Sequence, residues 1–253
     1  MAEPRSILIT GASSGIGAAL ARAYAGPGVT LALGGRDAAR LRTVAEVCRA
    51  RGAIVHPASV DVRDAPAMAD WIARVDVAAP LDLVIANAGI SAGTGGGGEN
   101  EDQVRRIFAV NVDGVLNTVL PALPRLRARR RGQIAIMASL AAFRGFPGAP
   151  AYCASKAAVR VWGEALRGTL HRDGIGVSVI CPGYIRTPMT AVNDFPMPFL
   201  MEPDRAAAII VRGLARNRAR IAFPRPLYAA VWLLAALPPA WSDPLLRRLP
   251  EKS

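Results

Sequence analysis

The chain has 253 residues, of which 52% are hydrophobic and 20% charged, and its formal net charge is +12. This length fits one α/β domain with a sizeable core, and the hydrophobic content excludes an intrinsically disordered chain. The arginines that supply the charge are scattered and accompany no nucleic-acid-reading module, so we expect no nucleic-acid partner.

Cysteine and histidine usage bears on redox compartment and metal binding. The three cysteines, Cys48, Cys153 and Cys181, form no CxxC pair, which predicts neither a disulfide framework nor a zinc site. The two histidines, His56 and His171, have no partner ligands nearby in sequence, so we expect no metal centre. The first residues enter a strand pattern without the apolar core of a signal peptide. We therefore expect a cytoplasmic protein.

Apolar runs alternate with amphipathic segments along the chain. Runs such as LDLVIA are apolar without alternation, as in strands that are buried on both faces. The pattern predicts a single Rossmann-type doubly wound parallel sheet with helices on both faces. The predicted strands are 6–10, 29–35, 53–60, 81–89, 133–139 and 176–183, and the predicted helices start at 15, 37, 65, about 100 and about 151.

A glycine-rich turn, TGASSGIG at residues 10–17, follows the first predicted strand and opens a helix. Such a turn lets backbone amides approach a pyrophosphate, whose charge is favoured by the helix N-terminus. It predicts nucleotide binding, with a purely structural turn as the alternative. The residues assigned to this part of the site are Gly11, Ser13, Ser14, Gly15, Ile16 and Gly17.

The second predicted strand ends in LALGGRD, where a dinucleotide site usually places an acidic residue for the ribose 2′-hydroxyl. Arg36 stands near that position and suits a 2′-phosphate, so NADP(H) is favoured over NAD(H) as cofactor. Because Asp37 follows directly, stacking on the adenine and capping of the loop remain alternative roles for Arg36.

Tyr152 and Lys156 lie four residues apart in AYCASKAAV, which puts them on one face of a helix. Only two of the 31 lysines and arginines are lysines. A lysine ammonium can lower the pKa of a tyrosine, which is ordinarily about 10. Taken alone, an exposed helix pair is the alternative. However, Ser139 ends a strand at the ligand-binding edge of the predicted sheet, and Asn111 lies on the long helix before that strand.

These segments together resemble the classical short-chain dehydrogenase/reductase family. They follow the family order and lie near the family spacing over about residues 5–190. The matching segments are TGASSGIG at 10–17, DV at 61–62, NAG at 87–89, Asn111, Ser139, YCASK at 152–156 and PGYIRT at 182–187.

The resemblance implies a role for each matching residue. Tyr152 would be the general acid or base, Lys156 would lower its pKa and hold the nicotinamide ribose, and Ser139 would orient the substrate carbonyl. Asn111 would stabilise a water in a proton relay behind Lys156. Asp61 and Val62 would contact the adenine, Asn87, Ala88 and Gly89 would lie near its ribose, Ile185 and Thr187 would hold the carboxamide, and Pro182 and Gly183 would also contact the cofactor.

We predict a single domain over residues 1–253, with its core at about 5–190 and a substrate lid at about 188–215. The lid segment is rich in Met, Phe and Pro. These residues suit an apolar substrate such as a lipid, steroid or aromatic ketone, and suit a dimer contact or simple packing nearly as well.

An apolar and basic extension is predicted at about 221–253. Its segment LYAAVWLLAAL is too short to span a bilayer. With Trp232, Trp241 and flanking arginines it fits a peripheral membrane contact. The sequence favours the other interpretation, a helix docked over the substrate mouth or against a second subunit.

The predicted function is hydride transfer between NADP(H) or NAD(H) and a small-molecule carbonyl or alcohol. The family resemblance suggests a homodimer or homotetramer. A non-catalytic nucleotide sensor or scaffold on the same fold is one alternative, against which the set Asn111, Ser139, Tyr152 and Lys156 argues. A membrane-surface protein is another, and it rests only on the extension and the charge.

Overall fold

The computed structural model describes residues 3–91 and 99–246. Seven parallel strands form one sheet in the order β3-β2-β1-β4-β5-β6-β7, which confirms the doubly wound architecture. The chain reverses direction across the sheet between β1 and β4, so a crevice opens where the carboxyl ends of these strands meet. The strands are β1 (Ser6–Thr10), β2 (Thr30–Gly35), β3 (Ile54–Ser59), β4 (Leu83–Ala86), β5 (Gly132–Met137), β6 (Ile175–Pro182) and β7 (Arg220–Phe223).

Helices cover both faces of the sheet. In β1, Ile7 and Ile9 pack into one core cluster and Leu8 into the other, and all three side chains are fully buried. This burial on two faces explains the apolar runs without alternation. The helices are α1 (Gly15–Tyr24), α2 (Ala38–Ala50), α3 (Ala65–Ala78), α4 (Glu101–Phe108), α5 (Gly114–Val119), α6 (Leu123–Arg129), α7 (Pro150–Leu170), α8 (Pro203–Ala215), α9 (Arg225–Ala236) and α10 (Pro239–Leu246).

The region predicted as one long helix over about 100–128 is helical, but the helix is interrupted. The structure divides it into α4, a π-helical turn at Ala109–Asp113, α5 and α6. The turn contains Asn111, whose amide is hydrogen-bonded to the backbone of Ile90, and a proline lies within the first two positions of α6. The run Glu101–Arg129 is long and apolar enough to cross a membrane. However, half of its most apolar 18-residue stretch is buried in the protein, and the core helix of a globular protein has the same length and composition.

The carboxyl-terminal region also differs from the prediction. The sequence assigned residues from about 221 to an extension, yet RIAF at Arg220–Phe223 forms the seventh strand, with Ile221 and Phe223 buried. Helix α9 then packs against β7 and a short 3-10 turn at Leu140–Ala142. Residues 247–253 of the predicted extension lie outside the described residues.

Candidate active site

The turn between β1 and α1 is built on glycine geometry. Gly11 and Gly15 have φ values of 65° and 53°, which side chains rarely tolerate. A Cβ atom on Gly17 would collide with the Gly11 carbonyl oxygen and lie 2.6 Å from Nδ2 of Asn87. Asn87 donates from Nδ2 to the carbonyl oxygens of Thr10 (2.9 Å) and Gly11 (3.2 Å). The turn is therefore fixed to the residue that follows β4, at the sheet crevice.

A cleft of about 610 Å³ runs along this edge of the sheet. Every residue predicted to bind the cofactor lines it, except Gly17, which packs behind the turn. Ser139 also lines the cleft, and Asn111 does not. The structure thus brings together residues that are far apart in sequence. Pro188, Met189 and Thr190 of the predicted lid line the cleft too. Lining residues that the sequence did not indicate are Gly35, Asp37, Arg40, Val60, Ile90, Val110, Met137 and Ala138.

Lys156 is buried at the floor of the cleft, on the same face of α7 as Tyr152. Its Nζ atom donates a hydrogen bond to the carbonyl oxygen of Met137 (2.9 Å) and lies 5.9 Å from the centre of the Tyr152 ring. Burial lowers the pKa of Lys156 to about 8. The Lys156 ammonium therefore places a positive charge close to the Tyr152 phenol.

Tyr152 and Ser139 interact across the cleft. Burial raises the pKa of Tyr152, and the hydrogen bond with the Ser139 hydroxyl opposes that rise. The sequence predicted a lowered pKa, and the structure gives a raised one because desolvation of the phenolate outweighs the Ser139 hydrogen bond. The Ser139 Oγ atom also accepts a hydrogen bond from the Ala141 backbone amide (3.1 Å), at the start of the 3-10 turn.

Asn111 lies behind the cleft. Its Oδ1 atom accepts from the Ile90 amide (2.8 Å), and its Nδ2 atom donates to the Ile90 carbonyl (2.9 Å) and to Ser155 Oγ (3.0 Å). A Cβ atom on Gly89 would lie 3.1 Å from Nζ of Lys156 and 3.2 Å from Oδ1 of Asn111. A side chain at position 89 would therefore crowd both the Asn111 amide and the Lys156 ammonium.

Arginines surround the end of the cleft where β2 stops. Asp37 caps α2 by accepting from the Arg40 amide (3.0 Å), and its carboxylate pairs with the Arg40 side chain. The hydrogen bonds from Arg63 hold the pKa of Asp61 below its usual value. Both carboxylates are thus engaged by neighbouring arginines, while Arg36 also lines the cleft. This end of the cleft suits an anionic group.

The segment after β6 closes one side of the cleft. Thr190 donates from Oγ1 to the Ile185 carbonyl (2.6 Å), and Ile185 forms an isolated bridge with Met201. Pro188, Met189 and Thr190 line the cleft beside Thr187. The predicted lid therefore begins at the wall of the cleft.

Helix α9 leaves the same edge of the sheet, and α10 follows it along the chain. Tyr228 of α9 contacts Phe143 edge-on, with ring centres 5.4 Å apart, and a Cβ atom on Gly183 would lie 3.0 Å from Leu227. The outer face of this region is apolar and open to solvent. Exposed fractions are 53% for Trp232, 60% for Leu233 and 74% for Trp241.

Residues in the cleft fit a nicotinamide dinucleotide. The turn leaves room for a pyrophosphate because Gly11, Gly15 and Gly17 carry no Cβ atom. The buried Lys156 ammonium can hold a ribose hydroxyl, and the Tyr152 phenol can give or take a proton beside it. Within residues 3–91 and 99–246, no group of three or more His, Cys, Asp and Glu side chains could hold a metal ion.

Comparisons with known proteins agree with this geometry. A family model described as short chain dehydrogenase matches residues 5–195. An uncharacterized oxidoreductase of Myxococcus xanthus is 39% identical over 246 residues, with 97% of each chain covered. A short chain dehydrogenase of Mycobacterium paratuberculosis bound to NAD has a TM-score of 0.76 and 25% identity, covering 86% of this chain and 94% of that one. A variant of actinorhodin polyketide ketoreductase with NADPH has a TM-score of 0.78 and 26% identity, covering 88% and 97%.

Proposed function

The chain belongs to the short-chain dehydrogenase/reductase family of oxidoreductases, and on this basis we propose that it reduces an apolar carbonyl compound with NADPH or oxidises the corresponding alcohol. The observation that carries the proposal is the meeting of Ser139, Tyr152 and Lys156 in the cleft that begins at the glycine turn. A cleft that only sensed a nucleotide would not need a partly buried phenol hydrogen-bonded to a serine.

When bound, the nicotinamide supplies or accepts the hydride at the substrate carbon. During reduction, the Ser139 hydroxyl holds the carbonyl oxygen and Tyr152 donates its phenolic proton to that oxygen. The resulting phenolate is stabilised by the Ser139 hydroxyl and the Lys156 ammonium until it regains a proton. During oxidation, the Tyr152 phenolate removes the hydroxyl proton, so each direction needs the opposite protonation state of one residue.

Residues elsewhere in the cleft are proposed to bind and orient the cofactor. Asp61 and Val62 would contact the adenine, Asn87 to Gly89 the adjoining ribose, and Ile185 and Thr187 the carboxamide. Asn111 would act behind Lys156, where a water could complete a proton relay. Pro182 and Gly183 would complete the wall of the cleft.

Selection of NADP(H) over NAD(H) is proposed to depend on Arg36. Its guanidinium lines the cleft at the end of β2, and Asp37 and Asp61 are paired with other arginines. A 2′-phosphate would gain a charge-assisted, bidentate contact there.

An apolar substrate is supported by the lid, in which Pro188 and Met189 face the cleft and Val192 and Phe199 are exposed at 59% and 57%. The ketoreductase that resembles this chain in fold acts on a polyketide according to its name, which agrees with a carbonyl substrate.

We propose a cytoplasmic homodimer or homotetramer. Helix α7 presents Ala154, Ala158 and Val161 to solvent on one stripe, with Val161 54% exposed. Small apolar side chains at this spacing allow two helices to pack closely.

The exposed face of α9 and α10 is proposed to rest on an anionic membrane surface. No charged residue occurs from 226 to 242; Arg225 precedes this stretch, and Asp243 and the arginine pair at 247–248 follow it. Exposed tryptophans flanked by cations are typical of the membrane interface. A peripheral contact would bring an apolar substrate close to the cleft, because α9 starts at the same edge of the sheet.

The proposal is tested by measuring NADPH and NADH oxidation against a panel of aliphatic, aromatic and steroid ketones, with wild type and Tyr152→Phe. We expect turnover that falls at least 1,000-fold in Tyr152→Phe, as expected when the general acid is lost, with cofactor affinity within about twofold. Full turnover by Tyr152→Phe would contradict the role of Tyr152. Cofactor binding without turnover on any ketone or alcohol would favour the nucleotide sensor.

A further inference from the structure

A cluster of charged and aromatic side chains lies next to the cleft, behind the turn that follows Ser139. On α7, Arg160 and Glu164 continue the face that carries Tyr152 and Lys156, at intervals of four residues. Glu164 accepts hydrogen bonds from Arg160 (3.1 Å) and from Arg220 of β7. One carboxylate thus joins the catalytic helix to the edge strand.

The two arginines converge on one aromatic ring. The guanidinium carbon of Arg160 lies 4.6 Å from the centre of the Phe143 ring, and that of Arg220 lies 5.2 Å from it. Both distances fall within the range of cation–π attraction. Arg220 also donates to the Tyr228 hydroxyl (3.0 Å), and the Tyr228 ring contacts Phe143 edge-on. Phe143 is therefore held from three directions.

This cluster acts on the short turn that begins at Ser139. Arg160 donates from Nε to the Ala142 carbonyl (3.3 Å), while the Ser139 hydroxyl accepts from the Ala141 amide. Phe143 ends the same 3-10 turn. Only three residues lie between Ser139 and Phe143, so the contacts that hold the Phe143 ring limit where the serine hydroxyl can point.

We propose that Arg160, Arg220 and Phe143 position Ser139 for its contact with the substrate carbonyl and with Tyr152. They are positioning residues, because Phe143, Arg160 and Arg220 do not line the cofactor cleft. Helix α9 takes part through Tyr228, so the carboxyl-terminal region completes the active site as well as extending the chain. This inference rests on the proposed function, since it assigns a task to Ser139 in that reaction.

The test uses Phe143→Leu, which keeps an apolar side chain and removes the ring that attracts the arginines. We expect kcat to fall about tenfold or more, with cofactor affinity within about twofold and with unchanged secondary structure. The kcat/KM profile for reduction should extend to higher pH, because the Ser139 hydrogen bond lowers the pKa of Tyr152 and a displaced serine would lower it less. The other titratable groups near Tyr152 are Lys156, Cys153 and Tyr184, and this variant leaves all three in place.

A double-mutant cycle separates positioning from general damage. In a Ser139→Ala background, Phe143→Leu should cost less than twofold, because the residue that it positions is already absent. Glu164→Gln should reproduce part of the Phe143→Leu effect by releasing both arginines. Phe108→Leu, at the end of α4, is the matched control and should leave kcat unchanged. Equal losses with and without Ser139 would overturn the inference.

Amide hydrogen exchange supplies a measurement that needs no substrate. Phe143→Leu should speed exchange in residues 140–146 at least fivefold, whereas exchange in α7 should stay as in wild type. If wild type turned over no carbonyl compound, the proposed function would fail, and this exchange would decide the positioning inference on its own. Unchanged exchange in that segment would overturn the inference whatever the activity.

Discussion

The Lys156 ammonium donates a hydrogen bond to the Met137 carbonyl oxygen at 2.9 Å, where β5 ends. This bond directs a buried cation from α7 toward the carboxyl edge of the sheet. Gly89 faces the same atom, since a Cβ atom there would lie 3.1 Å from Nζ. A longer, forked guanidinium would need more space, which explains why lysine stands here in a chain that otherwise uses arginine.

Lys156→Met should change the pH dependence of stability in a defined direction. The pKa of Lys156 is about 8 in the folded protein, against its usual 10.5. Below pH 8 the lysine is charged in both the folded and the unfolded protein, so the full free-energy cost of burying the ammonium lowers the stability of the fold. Between pH 8 and 10.5 the unfolded chain holds more protons than the folded one, so stability due to this group rises with pH.

The Tm of the variant minus that of wild type should therefore fall by roughly 3 °C or more between pH 7 and pH 10. Differential scanning fluorimetry across this range measures it. Lys252→Met, at the only other lysine of the chain, controls for the loss of one positive charge. A constant difference in Tm would show that the ordinary lysine pKa is kept.

Gly17→Ala should disrupt the cofactor turn. The new methyl group would collide with the Gly11 carbonyl oxygen and crowd Nδ2 of Asn87. We expect a loss of about 2–3 kcal/mol in the free energy of unfolding and at least tenfold weaker cofactor binding, measured by urea titration and fluorescence quenching. Gly26→Ala is the matched control, because a Cβ atom there meets nothing within 4 Å. A stable Gly17→Ala variant with normal affinity would contradict this packing.

The parallel sheet and the glycine turn could be predicted from the sequence, because each leaves a local pattern of residues. Strands such as β1 are buried on both faces and leave uninterrupted apolar runs, and the glycine turn follows the first of them. Strand β7 was missed because four residues between two turns carry too little pattern. The division of the long helix was missed as well, since the π-helical turn depends on Asn111 contacting Ile90, which lies 21 residues away.

Electrostatic properties of the site were harder to anticipate. The sequence places a lysine beside Tyr152 but does not reveal how deeply the phenol is buried, and burial decides the direction of its pKa. The pairing of Glu164 with Arg220 spans 56 residues. Local patterns do not record contacts of that kind, so the Phe143 cluster emerges only from the folded chain.

Arg36→Ala should weaken NADPH binding and spare NADH. Loss of a charge-assisted contact to a 2′-phosphate corresponds to about 10- to 100-fold in Kd. Fluorescence titration with both cofactors gives the two constants. Arg42→Ala is the control, since Arg42 is exposed on α2 and does not line the cleft. Equal weakening of both cofactors, or tighter binding of NADH by wild type, would contradict a phosphate-binding role for Arg36.

Trp232→Ser combined with Trp241→Ser should reduce binding to anionic vesicles. The two indoles are exposed at 53% and 74% on a face without charged residues between 226 and 242. We expect the wild-type protein to co-sediment with vesicles that contain 30% phosphatidylserine. Two effects favour this binding: the tryptophans are buried in the membrane interface, and the net charge of +12 is attracted to anionic lipid. The double variant should bind at least fivefold more weakly, and high salt should weaken wild type further.

Val77→Ser is the matched control for this experiment, because Val77 is 80% exposed at the end of α3 and belongs to another surface. It should bind vesicles as wild type does. The same samples should be analysed by light scattering. One outcome would exclude the membrane contact: the wild-type protein stays in the supernatant, and its oligomeric state differs from that of the double tryptophan variant. That outcome would assign this face to contact with a second copy of the chain.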